Sequence, residues 1–172
     1  MTILAHLDSQ IMEMLQGGHS TWFLEGQIAM NAKNLESIEE VREAAAFYGD
    51  SQEKIGLAKM KQLHGKELSF NNILDLNAAV EFIKDFEKPA AVIIKHNNPT
   101  GVAQDTTLAK AYKQAWAADP VSAFGGIIGF NRAVDVTTAK LVSKSGFMEC
   151  IIALGFDKEA LALLTEIGRA HV

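Results

Sequence analysis

The sequence predicts a layered α/β domain with a mostly parallel sheet. Three short, mainly apolar runs have the length of buried strands, at residues 90–94, 127–130 and 149–153. Segments with apolar residues at helical spacing lie before, between and after these runs, so helix and strand alternate from residue 72 onward. This alternation favours parallel strands joined by helical crossovers that cover the sheet.

Four helices are expected in this alternating part of the chain. Residues 72–86 place apolar side chains on one face. Thr106 or Thr107 can cap a second helix that continues to Asp119, where Pro120 disfavours further helix. The other two predicted helices cover residues 135–143 and 157–164.

The first fifty residues give a weaker pattern. An amphipathic helix ending at Gly17-Gly18 is predicted from apolar residues at helical spacing, which are Ile3, Leu7, Ile11, Met14 and Leu15. Residues 35–47 could form another helix, but its register against a core is not determined. We therefore assign residues 1–50 to an atypical helical linker or N-terminal segment and residues 51–166 to the α/β domain.

The last six residues are set apart from the domain. Residues 167–172 read IGRAHV, which matches the translation of a common sequencing adapter in one frame, with a stop codon following. We expect this tail to be non-native and the natural reading frame to continue past Glu166. It is left out of the fold prediction for that reason.

Composition and charge exclude several classes of protein. The 172 residues carry a formal net charge of −5, and no basic stripe is present that could neutralise a nucleic-acid backbone. The single cysteine, Cys150, cannot form a disulfide framework or a multi-cysteine metal site within the chain. No apolar run approaches the roughly 20 residues that span a bilayer, and no signal peptide is evident. A cytoplasmic location is expected.

Two loops beside the predicted strands carry the candidate chemistry. Residues 95–101 read KHNNPTG and follow the strand at residues 90–94, whereas residues 119–126 read DPVSAFGG and precede the strand at residues 127–130. Polar groups at strand ends reach the surface, and adjacent glycines allow backbone to approach a ligand closely. We expect the two loops to form one wall of a ligand site.

Lys95 and His96 are the candidate catalytic pair. An imidazole can accept a proton from a weak nucleophile near neutral pH, and an ammonium group can stabilise developing negative charge or donate a proton to a leaving group. The alternative is that Lys95 is a solvated strand end and His96 a structural histidine. The residues alone leave both interpretations open.

Two further segments are ambiguous when taken alone. Gly125 and Gly126 suit close approach to a ligand but are equally normal at a tight turn. Residues 62–72, QLHGKELSFNN, mix hydrogen-bond donors and acceptors before a predicted helix, so Asn71 or Asn72 could contact a ligand or cap that helix.

Three motifs together resemble one known family. The strings at residues 62–75, 95–103 and 119–131 are similar, in order and spacing, to the transformylase domain of the bifunctional purine biosynthesis proteins, which also carry an IMP cyclohydrolase domain. The resemblance runs from about residue 47 to about residue 164. The cyclohydrolase domain is absent from the chain, although residues 6–11 weakly resemble the segment that joins the two domains.

The resemblance implies a specific reaction and fold. The family transfers a formyl group from the cosubstrate 10-formyltetrahydrofolate to 5-aminoimidazole-4-carboxamide ribonucleotide (AICAR), giving FAICAR. Its fold consists of two cytidine-deaminase-like repeats, of which residues 51–166 would be the first, and its active site lies across a homodimer interface. In the matching pair, His96 would accept the arylamine proton and Lys95 would assist at the folate leaving nitrogen. No metal is implied. Substrate-binding positions of the family fall on Asn72, Phe124, Gly125 and Arg42.

One departure from the family pattern bears on activity. The family's phosphate-binding arginine stands in an Arg-Tyr-Gly-x-Asn-Pro-His-Gln string, whereas here Arg42 is followed directly by EAAAFY. Phosphate binding is therefore expected to be impaired. The alternative function is a truncated gene product, folded or partly folded, without turnover. A zinc deaminase needs a His-x-Glu and a Pro-Cys-x-x-Cys motif, and it is excluded because His96 is followed by Asn97-Asn98 and the chain has one cysteine.

Overall fold

The computed structural model describes residues 1–5 and 60–169. These residues form an α/β domain around one six-stranded mixed sheet. The strands are β1 Thr2–Ala5, β2 Lys61–His64, β3 Ala90–Lys95, β4 Asn98–Gln104, β5 Ile127–Phe130 and β6 Cys150–Ala153. The helices are α1 Phe70–Ile83, α2 Leu108–Ala118, α3 Pro120–Ala123, α4 Val136–Val142 and α5 Lys158–Arg169.

The sheet is mixed rather than mostly parallel. Its strand order is β2-β1-β6-β5-β3-β4, in which the β1–β6 and β5–β6 pairings are parallel and the β1–β2, β3–β4 and β3–β5 pairings are antiparallel. The expectation of a mostly parallel sheet was therefore wrong. It treated residues 98–104 as loop, but β4 forms a hairpin with β3 and reverses the chain. The strand after α2 consequently runs opposite to β3.

Helices cover both faces of the sheet, as the layered prediction required. On one face α1 packs its buried Leu76 and Ile83 against Val92 and Ile94 of β3. On the other face α2, α4 and α5 pack against the alternate residues of the same strands, such as Ile93 of β3. This alternation follows from the two-residue period of a strand, whose successive side chains point to opposite faces.

The predicted helices from residue 72 onward are present, and three of the four begin at a polar cap. Ser69 caps α1, Thr107 caps α2 and Asp135 caps α4, each accepting a hydrogen bond from a backbone N–H in the first turn. Thr107 is thus the cap among the two candidate threonines. None of the helices among the described residues is long and apolar enough to cross a membrane.

The predicted N-terminal helix is wrong at its start. Thr2–Ala5 forms strand β1, which pairs in parallel with β6 and antiparallel with β2. Interstrand hydrogen bonding here outweighs the helical spacing that Ile3 suggested. The remainder of that predicted helix, the segment at residues 35–47 and the candidate Arg42 lie outside the described residues.

Candidate functional site

The structure brings the two sequence-predicted loops together at one end of the sheet. β3 ends at Lys95, and its antiparallel neighbour β5 begins beside it after the loop at residues 119–126. The Lys95 Nζ donates a hydrogen bond to the Phe124 carbonyl oxygen at 2.8 Å. Because these residues are 29 positions apart in sequence, the contact depends on the antiparallel pairing of β3 and β5.

His96 lies at the tip of a two-residue β-hairpin. Lys95 at the end of β3 pairs with Asn98 at the start of β4, so residues 96–97 alone form the turn. Residues 98–101 of the predicted loop belong to strand β4. His96 and Asn97 both have positive φ, at 52° and 64°. Left-handed backbone costs about 1–2 kcal/mol per non-glycine residue, although Asn tolerates it better than most. The tip of this hairpin is therefore a strained segment that other contacts must hold.

Asp75 provides the contact that holds the hairpin tip. Its two carboxylate oxygens accept hydrogen bonds from the backbone N–H groups of His96, at 3.2 Å, and Asn97, at 2.6 Å. The Asn98 side chain donates to the His96 carbonyl oxygen at 2.8 Å. Asp75 is partly buried on α1, whereas His96 and Asn97 are exposed. The imidazole of His96 thus extends from a backbone that is fixed on both of its peptide groups.

The second loop is held by its own caps. Asp119 Oδ1 accepts the Ser122 N–H at 3.0 Å and so caps the short helix α3. Hydrogen bonds from the Ser122 side chain and backbone hold the pKa of Asp119 below its ordinary value. Gly125 has a φ of 73°, and its N–H donates to the Phe147 carbonyl oxygen at 2.9 Å. Glycine suits this backbone conformation because it lacks a Cβ.

Phe124 and Gly126 differ in what surrounds them. The Phe124 side chain is 55% exposed, and its ring centroid lies 6.2 Å from that of Phe147. Gly126 is buried, and a Cβ added there would lie 2.9 Å from the Ile94 carbonyl oxygen. The loop therefore presents an aromatic ring to solvent while its glycine packs directly on the backbone of β3.

Asn72 has a structural role in the first turn of α1. Its Oδ1 accepts hydrogen bonds from the Ser69 N–H at 3.0 Å and the Ser69 hydroxyl at 2.9 Å, and the Ser69 Oγ accepts the Asn72 N–H. This is a capping box, with Ser69 as the N-cap and Asn72 three residues later. Since Oδ1 is engaged, Nδ2 is the group of Asn72 that could donate to a ligand.

An ion pair beside the second loop was not foreseen from the sequence. Lys66 Nζ lies 3.9 Å from Glu149 Oε1, and the Glu149 backbone N–H donates to the Gly126 carbonyl oxygen at 2.9 Å. Gln62 shapes the turn before α1 by donating to the carbonyl oxygens of Gly65 and Lys66. The only sequence signal was the mixture of donors and acceptors at residues 62–72, because nothing local identifies Glu149 as a partner.

These residues form a cluster of hydrogen-bond donors and acceptors at one end of the sheet. Lys95, His96, Phe124 and Gly125 meet at one sheet end, with the first turns of α1 beside the hairpin. Within residues 1–5 and 60–169, no group of three His, Cys, Asp or Glu side chains is arranged to hold a metal ion. The sheet end that carries Lys95 and His96 is therefore the candidate functional site.

Comparison with known proteins identifies the family. The family model of the AICARFT/IMPCHase bienzyme matches residues 1–172, so the chain belongs to that family. This confirms the resemblance carried by the three motifs. The family name combines AICAR formyltransferase with IMP cyclohydrolase, which are transferase and hydrolase activities of purine biosynthesis.

Several bacterial relatives share about half of the aligned residues. The bifunctional purine biosynthesis protein PurH of Magnetococcus marinus is 54% identical over 128 residues, covering 73% of this chain and 24% of the relative. The protein of the same name from Thermoanaerobacter sp. is 48% identical over 133 residues, covering 77% of this chain and 26% of the relative. The chain thus spans about a quarter of the length of these curated relatives.

Proposed function

We propose that this chain supplies one part of the site that transfers a formyl group from 10-formyltetrahydrofolate to AICAR. The observation that carries the proposal is the hydrogen bond from Lys95 to the Phe124 carbonyl oxygen, which joins the proposed catalytic pair to the proposed base-binding loop. Membership of the AICARFT/IMPCHase bienzyme family supports the reaction class.

In the proposed reaction the AICAR amino nitrogen forms a bond to the formyl carbon, and the bond from that carbon to the folate nitrogen breaks. An arylamine is a weak nucleophile, so His96 accepts its proton as the new bond forms. Lys95 stabilises the negative charge that develops on the formyl oxygen or moves a proton to the departing folate nitrogen. One proton leaves the amine and one arrives at the folate, which balances the transfer.

AICAR binding is assigned to the neighbouring loop and helix start. The exposed Phe124 ring offers an apolar face to the flat heterocycle, and Gly125 brings backbone close to it. Asn72 would contact the nucleotide as a donor through Nδ2, since Oδ1, its only side-chain acceptor, already accepts two hydrogen bonds from Ser69. Arg42 is assigned to the phosphate by resemblance alone.

The wider assembly is also part of the proposal. Residues 51–166 would make up most of the first of two cytidine-deaminase-like repeats, and strand β1 at Thr2–Ala5 joins the same sheet by pairing with β2 and β6. The rest of the segment assigned at residues 1–50 would be the linker, and residues 167–172 would be the non-native tail. The layered α/β architecture is compatible with such a repeat. The complete site would form in a cytoplasmic homodimer, to which the second repeat contributes further groups.

A second candidate is that the chain alone has no turnover. The observation in its favour is that the chain matches only about a quarter of each relative, such as 24% of the Magnetococcus marinus protein. We expect little or no formyl transfer by the isolated chain. A folate-dependent rate that disappears in His96→Ala would overturn this expectation and show that the chain suffices.

The reaction is therefore best tested in a chimera. In the Magnetococcus marinus relative, the segment that aligns with residues 60–166 is replaced by those residues of this chain. We expect the chimera to formylate AICAR, with His96→Ala lowering kcat about 10²- to 10⁴-fold, as removal of a general base does. Rates are followed by the release of tetrahydrofolate.

Two controls make this test specific. Lys95→Ala should lower kcat, whereas Lys140→Ala, which removes an exposed lysine on α4, should leave it unchanged. A chimera whose kcat is insensitive to both Lys95→Ala and His96→Ala would remove this pair from the chemistry.

A further inference from the structure

The hairpin tip has an unusual backbone for the residues it contains. Two-residue hairpin turns with positive φ at both positions favour Asn-Gly or Asp-Gly, because glycine adopts this conformation without steric cost. Here the two positions hold His96 and Asn97, with φ of 52° and 64°. Strained backbone of this kind persists only where surrounding contacts determine it, and it is concentrated at functional sites.

One side chain accepts hydrogen bonds from the backbone N–H groups of both turn residues. Asp75 accepts from the His96 N–H at 3.2 Å and from the Asn97 N–H at 2.6 Å, each with a different oxygen. A carboxylate that accepts backbone N–H groups forms charge-assisted bonds, which are stronger than neutral ones. Both turn residues are therefore tied to a single group 21 and 22 positions earlier in the chain.

Asp75 is itself on a rigid support. It lies in the second turn of α1, next to the fully buried Leu76, and α1 packs on β3 and β5. The Ser69 capping box fixes the start of the same helix. The Asp75 carboxylate therefore has a fixed position, and its two hydrogen bonds fix the hairpin tip relative to α1.

We propose that Asp75 is the positioning residue for His96 in formyl transfer. Asp75 touches no reacting atom; it holds the left-handed backbone that sets the direction in which the imidazole leaves the hairpin. The inference rests on the proposed function of His96. The base-binding loop is held by Phe147, Glu149 and Lys95, and Lys95 lies in the paired part of β3 rather than in the turn. Loss of Asp75 should therefore disturb proton transfer more than AICAR binding.

The geometric half of the inference is tested by NMR on the chain itself. Positive φ gives a strong nuclear Overhauser effect between the amide proton and Hα of the same residue, which we expect at His96 and Asn97. In Asp75→Ala both effects should weaken, and amide exchange at these two residues should rise about tenfold. Asp75→Asn, which keeps one acceptor oxygen, should give a smaller change. The matched control is Asp85→Asn, which removes an exposed carboxylate just beyond α1.

The catalytic half is tested in the chimera described above. We expect Asp75→Ala to lower kcat about 10- to 100-fold with the KM for AICAR unchanged, and Asp85→Asn to change neither. Unchanged backbone signals at His96 and Asn97 in Asp75→Ala would overturn the inference, and so would an altered turn with an undiminished kcat. A chimera without formyl transfer before any substitution would count against the proposed function, while the NMR result still decides whether Asp75 holds the turn.

Discussion

One polar side chain holds each end of β3, and the two side chains differ in their exposure to solvent. At the buried end, Asn131 accepts the Ala90 N–H at 2.7 Å and donates to the carbonyl oxygens of Phe86 and Lys88, both at 2.8 Å. Asn131 is 0% exposed. At the hairpin end, the partly buried Asp75 carboxylate accepts from two exposed turn residues.

The difference shows how solvent decides what a polar contact contributes. At the buried end water cannot reach the Ala90 N–H, so loss of the amide leaves this group unpaired and costs stability. At the hairpin end water can replace the carboxylate as acceptor, so its loss costs little stability but frees the turn. The same kind of contact thus stabilises the fold at one end of the strand and fixes the geometry of a candidate catalytic residue at the other.

Asn131→Ala is expected to have the largest effect on stability. Unpairing the buried Ala90 N–H and weakening two carbonyl contacts should lower the free energy of unfolding by about 3 kcal/mol. Asp75→Ala should lower it by about 1 kcal/mol or less, because the exposed turn becomes hydrated. Urea denaturation measures both, and equal losses in the two variants would break the comparison. Glu87→Ala, which changes an exposed side chain in the turn before β3, is the control.

The stability of the protein should fall at alkaline pH because the Tyr112 phenol is buried in the core. Tyr112 packs on Phe130, and burial raises the pKa of its phenol from 10.0 to about 12, with Ser145 opposing the shift in part. The unfolded chain releases this proton first, so the contribution is complete below pH 10 and is lost as pH rises towards 12. The free energy of unfolding should fall by about 2–3 kcal/mol over this range.

Tyr112→Phe isolates that effect from the titration of other groups. Urea denaturation from pH 9 to pH 12 gives the unfolding free energy of the wild-type protein and of Tyr112→Phe. The wild-type value should fall relative to the Tyr112→Phe value as pH rises. If the free energies of the two proteins changed equally with pH, the Tyr112 phenol would be in contact with solvent, and the comparison between the two ends of β3 would be weakened.

Adjacent glycines beside the hairpin end should respond differently to alanine. At Gly126 a Cβ would meet the backbone oxygens of Ile94 and Ala123 at 2.9 and 3.0 Å, so Gly126→Ala should cost about 2 kcal/mol through overpacking. At Gly125 nothing lies within 4 Å, but φ is +73°, so Gly125→Ala should cost about 1 kcal/mol through backbone strain. Thermal unfolding of both variants tests the order, which a larger loss in Gly125→Ala would reverse.

Most of the local structure and part of the site could be predicted from the sequence. β3, β5 and β6 were recognised as apolar runs, and α1, α2, α4 and α5 from helical spacing or capping residues. β4 was missed because NPTGVAQ contains proline and glycine and lacks an apolar run. Lys95 and His96 were selected by their position at a strand end, whereas Asp75 was not, since in sequence it is one polar residue of an amphipathic helix.

The sequence by itself determined the family, the strands β3, β5 and β6 and the helices α1, α2, α4 and α5, because helical and strand periods, caps and motifs are properties of neighbouring residues. Only the tertiary structure decided strand direction, since β4 reverses the chain and makes β5 antiparallel to β3. It also decided the partners of the site: Asp75 bonds the hairpin 21 residues away, and Lys95 bonds a carbonyl 29 residues away. Such contacts depend on which strands pair in the sheet and in which direction, which no local pattern encodes.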